Sequence, residues 1–186
     1  MAKNIVEAVQ EKLGYAPLQK IDPNIQETKE QDQSASQKLA QAAIPAVLTA
    51  IYKFTRTDDG CNAIINGSAK DDWTELIYQG NKSIVAQHIS RYSGVSITEA
   101  LHQMKNIADE SIKILQEVAG KDGAADKLKV YMNAQRHNIL VYLPAALNMG
   151  DLLHDEALDD RTNKMEGPVS SFMHKIEDTF SGGGKK

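Results

Sequence analysis

The sequence predicts an all-α protein: a single bundle of about six to eight helices, with a kinked alanine-rich helix and amphipathic helices at both ends. Two observations predict it. Apolar residues recur almost throughout at i, i+3, i+4 spacing, the period of one helix face. Helix punctuation falls where those runs start and stop, most clearly at Ser96-Ile97-Thr98-Glu99, which has capping-box spacing.

In chain order, Ile5, Val6, Val9 and Leu13 mark a short amphipathic helix that Gly14 ends. Residues 15–32 carry Pro17, Pro23 and the polar run QETKEQDQ, and read as a connecting arm or as the frayed start of the next helix. A long helix follows over 34–54, with Leu39, Ala43, Val47, Ala50, Ile51 and Phe54 on its apolar side. Its core, AQAAIPAVLTA, is small enough for a neighbouring backbone to come close. Pro45 removes an internal hydrogen bond, at about 3 kcal/mol in an exposed helix. Either the helix kinks there or a new one starts; a kink is the preferred reading.

Asp58-Asp59-Gly60 reads as a turn, followed by short helices over 60–65 and 71–78. Trp73, Leu76 and Ile77 give the second an apolar face. A helix over 83–92 carries Ile84, Val85, Ile89 and Tyr92, with Gly94 at the position after its cap. Ser96 then opens a long helix to 118 or 119, lined by Leu101, Met104, Ala108, Leu115 and Val118. Leu128, Tyr131 and Met132 mark a helix over 124–135. Residues 138–153, NILVYLPAALNMGDLL, are the most apolar stretch and read as a further helix, although Pro144 lies inside. Residues 151–166 hold six acids against Arg161 and Lys164. Pro168 suits the first position of a last helix whose stripe is Val169, Phe172, Met173, Ile176 and Phe180. The tail SGGGKK reads as flexible. The resulting division is an N-terminal helix and arm over 1–32, a helical core over 33–153, and a linker, last helix and tail over 154–186. The two terminal helices are expected as appendages. IPAVL at 44–48 and LPAAL at 143–147 echo each other; chance is the better explanation, and a true repeat would put two kinked helices in equivalent settings.

Composition narrows function by exclusion. The chain has 186 residues, 41% of them apolar, and a net charge of −4, with a pI near 5.7. A chain this long buries roughly 70% of its unfolded surface, so neither disulfide nor metal is required for a core. Nucleic-acid-binding domains are usually basic, which this is not. The single cysteine, Cys61, excludes an internal disulfide framework. No apolar run reaches the ~18 residues of a membrane span. MAKNIVEAVQEK has no apolar core and carries two acids, unlike a signal peptide. A cytoplasmic location is the expectation.

No motif supplies catalysis. Of His88, His102, His137, His154 and His174, none belongs to HExxH. Glu99 and His102 have the Glu-x-x-His spacing of di-metal bundles, but such a site needs a second pair, and Glu99 is already explained as a capping residue. Cys61, beside Ile64 and Ile65, reads as a buried thiol rather than a nucleophile. Asp155, Glu156, Asp159 and Asp160 lack the alternating ligands, central glycine and closing glutamate of a calcium loop. Lys121, Lys127, Lys129 and Arg136 form a modest basic cluster. No cofactor is expected.

Two stretches resemble a known family. SASQKLAQAAIPAVLTAIYKFTRTDDGCNAI and IVAQHISRYSGVSITEALHQMKNIA are similar to the YidB-like family of bacterial proteins of unknown function. The resemblance covers residues 34–120, reaching towards 150, and rests on fold-forming residues. The chain departs from the pattern in being poorer in glycine and in its polar region 77–82. What the resemblance implies is an all-helical fold and no known activity.

The leading expectation is a non-enzymatic interaction or assembly module, with Val169, Phe172, Met173, Ile176 and Phe180 as the partner-binding residues. The partner is a protein or a second copy, not nucleic acid. Membrane-surface contact is the lesser option for the last helix, because its polar face (His174, Lys175, Glu177, Asp178) is mixed rather than basic. The alternative is a helical enzyme or small-ligand bundle with a pocket near Glu99, His102 or His137.

Overall fold

The computed structural model describes residues 4–28, 32–67, 72–120 and 123–155. These form eight α-helices and no strand: α1 (Ile5–Leu13), α2 (Ala35–Phe54), α3 (Asp58–Ile65), α4 (Trp73–Tyr78), α5 (Lys82–Ser93), α6 (Ile97–Ala119), α7 (Ala125–Leu140) and α8 (Met149–Leu152), with a 3-10 turn at Ala145–Leu147. The all-α bundle is therefore the fold.

Helix α2 runs through its middle. Every residue from 39 to 51 is buried, so the helix has no solvent face along thirteen positions. Helices α1, α4, α5, α6 and α7 all pack on it. Five alanines among those positions (Ala40, Ala42, Ala43, Ala46, Ala50) permit the close approach. The helix is unbroken at Pro45, so no second helix starts there. Its start is tightly capped. Ser34 Oγ accepts the Gln37 N–H, and the Gln37 side chain accepts the Ser34 N–H at 2.9 Å, a complete capping box. At the site where the sequence reading placed such a box, only one half is seen: Ser96 Oγ accepts the Glu99 N–H at 3.1 Å.

Four expectations need correcting. First, α1 is part of the core, not an appendage. Ile5, Val6 and Val9 are completely buried, α1 packs on α6 and α7, and the Ile5 N–H donates to the buried Gln135 Oε1 at 3.1 Å. A free donor of a first helical turn is thereby satisfied from another helix.

Second, Asp58-Asp59-Gly60 is the first turn of α3. Thr57 Oγ1 accepts the Gly60 N–H at 3.1 Å, and the two carboxylates suit the positive end of the helix dipole. Third, residues 138–153 are not one helix. α7 takes in 138–140, after which Pro144, with no N–H to donate and a ring that disfavours helix at Leu143, ends the run. Asn148, with φ +53°, separates the 3-10 turn from α8. The echo between 44–48 and 143–147 accordingly joins two unlike settings, a helix interior and a helix exit. Fourth, Leu76, Ile84 and Ile97, assigned to apolar faces or helix starts, stand 38–44% exposed.

Gly60 lies directly against the last residue of α2. A Cβ built on it would lie 1.9 Å from the Phe54 carbonyl oxygen, an atom of the α2 backbone that side-chain motion does not relieve. Gly60→Ala is therefore expected to force α2 and α3 apart and to lower stability by about 1–3 kcal/mol, read as a reduced urea midpoint at unchanged slope.

Candidate functional site

The most elaborately built polar feature is the seat of the N-terminal arm, residues 15–28. Gly14 ends α1 at φ +72°, a conformation glycine adopts without strain. The chain then passes over α2 without helix or strand. Gln10 Nε2 donates to the Ala16 carbonyl at 2.8 Å. Gln41, only 1% exposed inside α2, holds the arm from below. Its Oε1 accepts the Gln19 N–H at 2.9 Å, and its Nε2 donates to the carbonyls of Gln19 and Tyr142, each at 2.9 Å. One amide thus ties α2, the arm and the chain just beyond α7. The Ile21 N–H adds a bond to the Val141 carbonyl at 2.8 Å. A turn over 22–27 follows, where Tyr92 OH of α5 donates to Glu27 Oε1.

Two cavities flank this seat. One of about 170 Å³ lies between the arm and the start of α2, with Tyr15, Gln19, Gln37 and Gln41 in its wall. The other, about 190 Å³, lies between the arm and the end of α7, lined by Lys20, Ile21, Pro23, Gln26, Leu140, Val141 and Leu143. Both are below the ~300–1,000 Å³ of small-molecule sites. A third, about 490 Å³, is bordered by Gly150, Asp151, His154 and Asp155. Asp151 there accepts from Asn148 Nδ2 at 2.6 Å, and Asp155 pairs with Arg56.

The residues singled out from sequence are dispersed. Glu99, His102 and His137 are all exposed and line none of these cavities. His102 Nδ1 lies 3.4 Å from Asn106 Nδ2, its neighbour one turn on. Cys61 is completely buried, and its Sγ donates to the Thr55 carbonyl at 3.1 Å. Burial pushes this thiol up, Lys129 opposes, and Asp58 and Asp126 add to the rise, so the reactive thiolate is disfavoured. Lys129 of the basic cluster is engaged by Asp58, and Lys127 Nζ donates to the Ala119 carbonyl at 3.3 Å. Among the described residues, no three His, Cys, Asp or Glu side chains gather as metal ligands, and no helix is long and apolar enough to cross a membrane. Val169, Phe172, Met173, Ile176 and Phe180 lie outside the described residues, as do Glu156, Asp159 and Asp160.

Gln41 was missed by the sequence reading. Its signal was there: one amide side chain inside the apolar run LAQAAIPAVL, where a helix buried all round must bond every polar atom. Comparison of the chain with family models, with curated proteins and with solved structures finds no match.

The arm's attachment yields two expectations. Gln41→Leu removes three hydrogen bonds and strands two carbonyls and an N–H, so it should cost about 2–3 kcal/mol and speed hydrogen exchange at residues 15–28 and 141–142 before elsewhere. The second concerns alkaline pH. Burial raises Tyr15, Tyr78, Tyr92 and Tyr131 above the usual phenol value, with the Glu27 carboxylate adding to the rise at Tyr92. The folded state therefore holds these protons more tightly than the unfolded chain. The resulting stabilisation is complete below about pH 10 and declines as pH rises above it. In an alkaline titration, most tyrosinate absorbance should appear together with loss of helical circular dichroism, not ahead of it.

Proposed function

We propose that the chain is a non-enzymatic helical module acting through protein–protein contact, with self-association through residues 169–180 as its most direct form. The supporting observation is a surplus of apolar surface. Described residues already bury α2 on every side along 39–51. Yet the sequence carries one more apolar stripe, Val169, Phe172, Met173, Ile176 and Phe180, beyond the acidic stretch 151–166. An amphipathic helix that presents i, i+4 and i+8 anchors to an apolar groove is a common mode of recognition. The net charge of −4 favours a protein partner over nucleic acid. A single, buried, unpaired thiol suits a reducing compartment, in keeping with a cytoplasmic setting. The YidB-like resemblance of residues 34–120 adds a bacterial, all-helical context and no activity.

The test is mass in solution, by light scattering or sedimentation, for the full chain and its Phe172→Glu/Ile176→Glu variant. Self-association of the natural chain, weakened by about 30-fold or more in the variant, is the expected result. Two equally monomeric proteins would remove the self-assembly reading.

A further inference from the structure

The arm differs from everything around it in how it is held. None of residues 15–27 is buried, and the first buried side chain beyond α1 is that of Thr28. Its neighbours on both sides are fixed without it. Helix α1 is held by the burial of Ile5, Val6 and Val9 and by the bond to Gln135. Helix α2 starts on the Ser34–Gln37 capping box, which uses no atom of the arm. The arm also stands off from the bundle. It forms one wall of two recesses, of about 170 and 190 Å³, whose opposite walls are the start of α2 and the end of α7. A segment with such space beneath it forgoes part of the dispersion contact that close packing gives. Polar bonds grip it at two places. Gln41 takes both the N–H and the carbonyl of Gln19, and Tyr92 OH donates to Glu27 eight residues further on.

We propose that the arm is a strap, hinged at Gly14, that opens as one unit over a bundle that stays folded. Gly14 has φ +72°, and nothing lies within 4 Å of where a Cβ would stand, so the chain turns there without steric resistance. Opening breaks the bonds at Gln19 and Ile21, but their groups then meet water, and each bond lost costs only its modest net value. The same release is closed to α2, where thirteen consecutive positions would lose apolar burial. Little buried area, with bonds that solvent replaces, is the profile of a unit that opens below the global stability.

The two grips are joined closely enough to act together. The Asp22 N–H donates to the Glu27 carbonyl at 2.9 Å and the Gln26 N–H to the Asp22 carbonyl at 2.7 Å, so residues 22–27 form a closed turn. Ile21, bonded to the Val141 carbonyl, leads straight into that turn, and Pro17 and Pro23 each fix one backbone angle along the way. Release at Glu27 is thereby passed back to Ile21 and Gln19. What the open strap uncovers is specific. The Gln41 amide and the Val141 carbonyl lose their partners in the arm, and Ala40, in the wall of the first recess, gains access to solvent. A helix with no outside when the strap is shut acquires one when it opens. This device stands apart from the self-association reading.

The experiment is amide hydrogen exchange on the full natural chain and on its Tyr92→Phe variant, which keeps the ring and cuts only the grip at Glu27. The reporters are the Gln19 and Ile21 amides, bonded at the other end of the arm; Val9 and Leu48 report on α1 and α2. In the natural chain the two arm amides should share one protection level, roughly 100-fold or more below that of Val9 and Leu48. Tyr92→Phe should then speed Gln19 and Ile21 by the same factor, about tenfold. Glu27→Ala removes the same grip from the arm's side and should give the same result, which guards against a folding defect at Tyr92; circular dichroism checks both variants. Protection of Gln19 and Ile21 equal to that of Val9 and Leu48 would show that the arm opens only with the bundle, and would overturn the strap. So would variants that leave Gln19 and Ile21 unchanged, or that speed one without the other, because the arm would then not move as one unit.

Discussion

The structure depends on one constraint: a helix with no outside. Over thirteen positions α2 is covered on every side. Such a helix cannot use amphipathicity to choose its neighbours, because every direction is inward. What distinguishes its faces is side-chain size. Alanines at 40, 42, 43, 46 and 50 let surrounding helices approach, while Ile44, Val47, Leu48 and Ile51 fill the gaps between them. The same burial explains why Pro45 is tolerated. The hydrogen bond it withholds from the Gln41 carbonyl is a fixed local cost of about 3 kcal/mol, set against apolar burial at roughly 25 cal/mol per Å² over the whole element.

Burial this complete makes every polar atom on α2 consequential. Gln41 meets the demand by recruiting backbone from two distant segments, which is why an irregular arm can lie over the bundle without secondary structure of its own. Its backbone groups at Gln19 and Ile21 are paired as they would be in a strand, but with a side chain and with the turn after α7. Not every buried hydroxyl is so provided for. Among the described residues, Thr49 on α2, Tyr78 on α4 and Ser111 on α6 have no hydrogen-bond partner. Each is a buried group that costs ~1–3 kcal/mol while unpaired, and all three lie on helices in mutual contact.

Much of the fold was legible in the sequence because helix signals are local. Gly14 and Gly94 end helices at positive φ as read, Ser96 caps α6, and the face of α6 is buried at Met104, Ala108 and Leu115. What was illegible is set by partners far along the chain. Nothing near Ile5 announces that Gln135 will accept its N–H, so α1 looked detachable. Thr57 decides whether Asp58-Asp59-Gly60 is a turn or a helix start, and the contact of Gly60 with Phe54 is invisible to periodicity. Residues 138–153 misled for the opposite reason. Hydrophobicity there is continuous, so period carries no information, and Pro144 settles the matter by backbone chemistry alone. Of the candidate site, the seat of the arm was not legible, because Gln41 meets Gln19 and Tyr142 only in the folded chain. The meeting of the arm with the chain after α7 exists only once Gln41 has drawn the two segments together.

The end of the described chain is fixed as firmly as the arm. Asn81 Nδ2 donates to the Leu152 carbonyl at 2.7 Å, Lys53 Nζ to the Leu153 carbonyl, and Arg56 to the Asp155 carboxylate. Carbonyls left free at the end of a helix are normally met by solvent or by a glycine cap. Here Lys53 of α2 and Asn81, just before α5, meet two of them, while Arg56 holds the Asp155 side chain. Asp155 is thereby held just beyond the C-terminal end of α2, while the arm is seated near the N-terminal third of that helix. Both positions are set by side chains of, or next to, the one helix that the whole bundle encloses: Lys53 and Arg56 at one end, Gln41 at the other. The helix whose burial shapes the core thus also anchors, at its two ends, the arm and the last described residues.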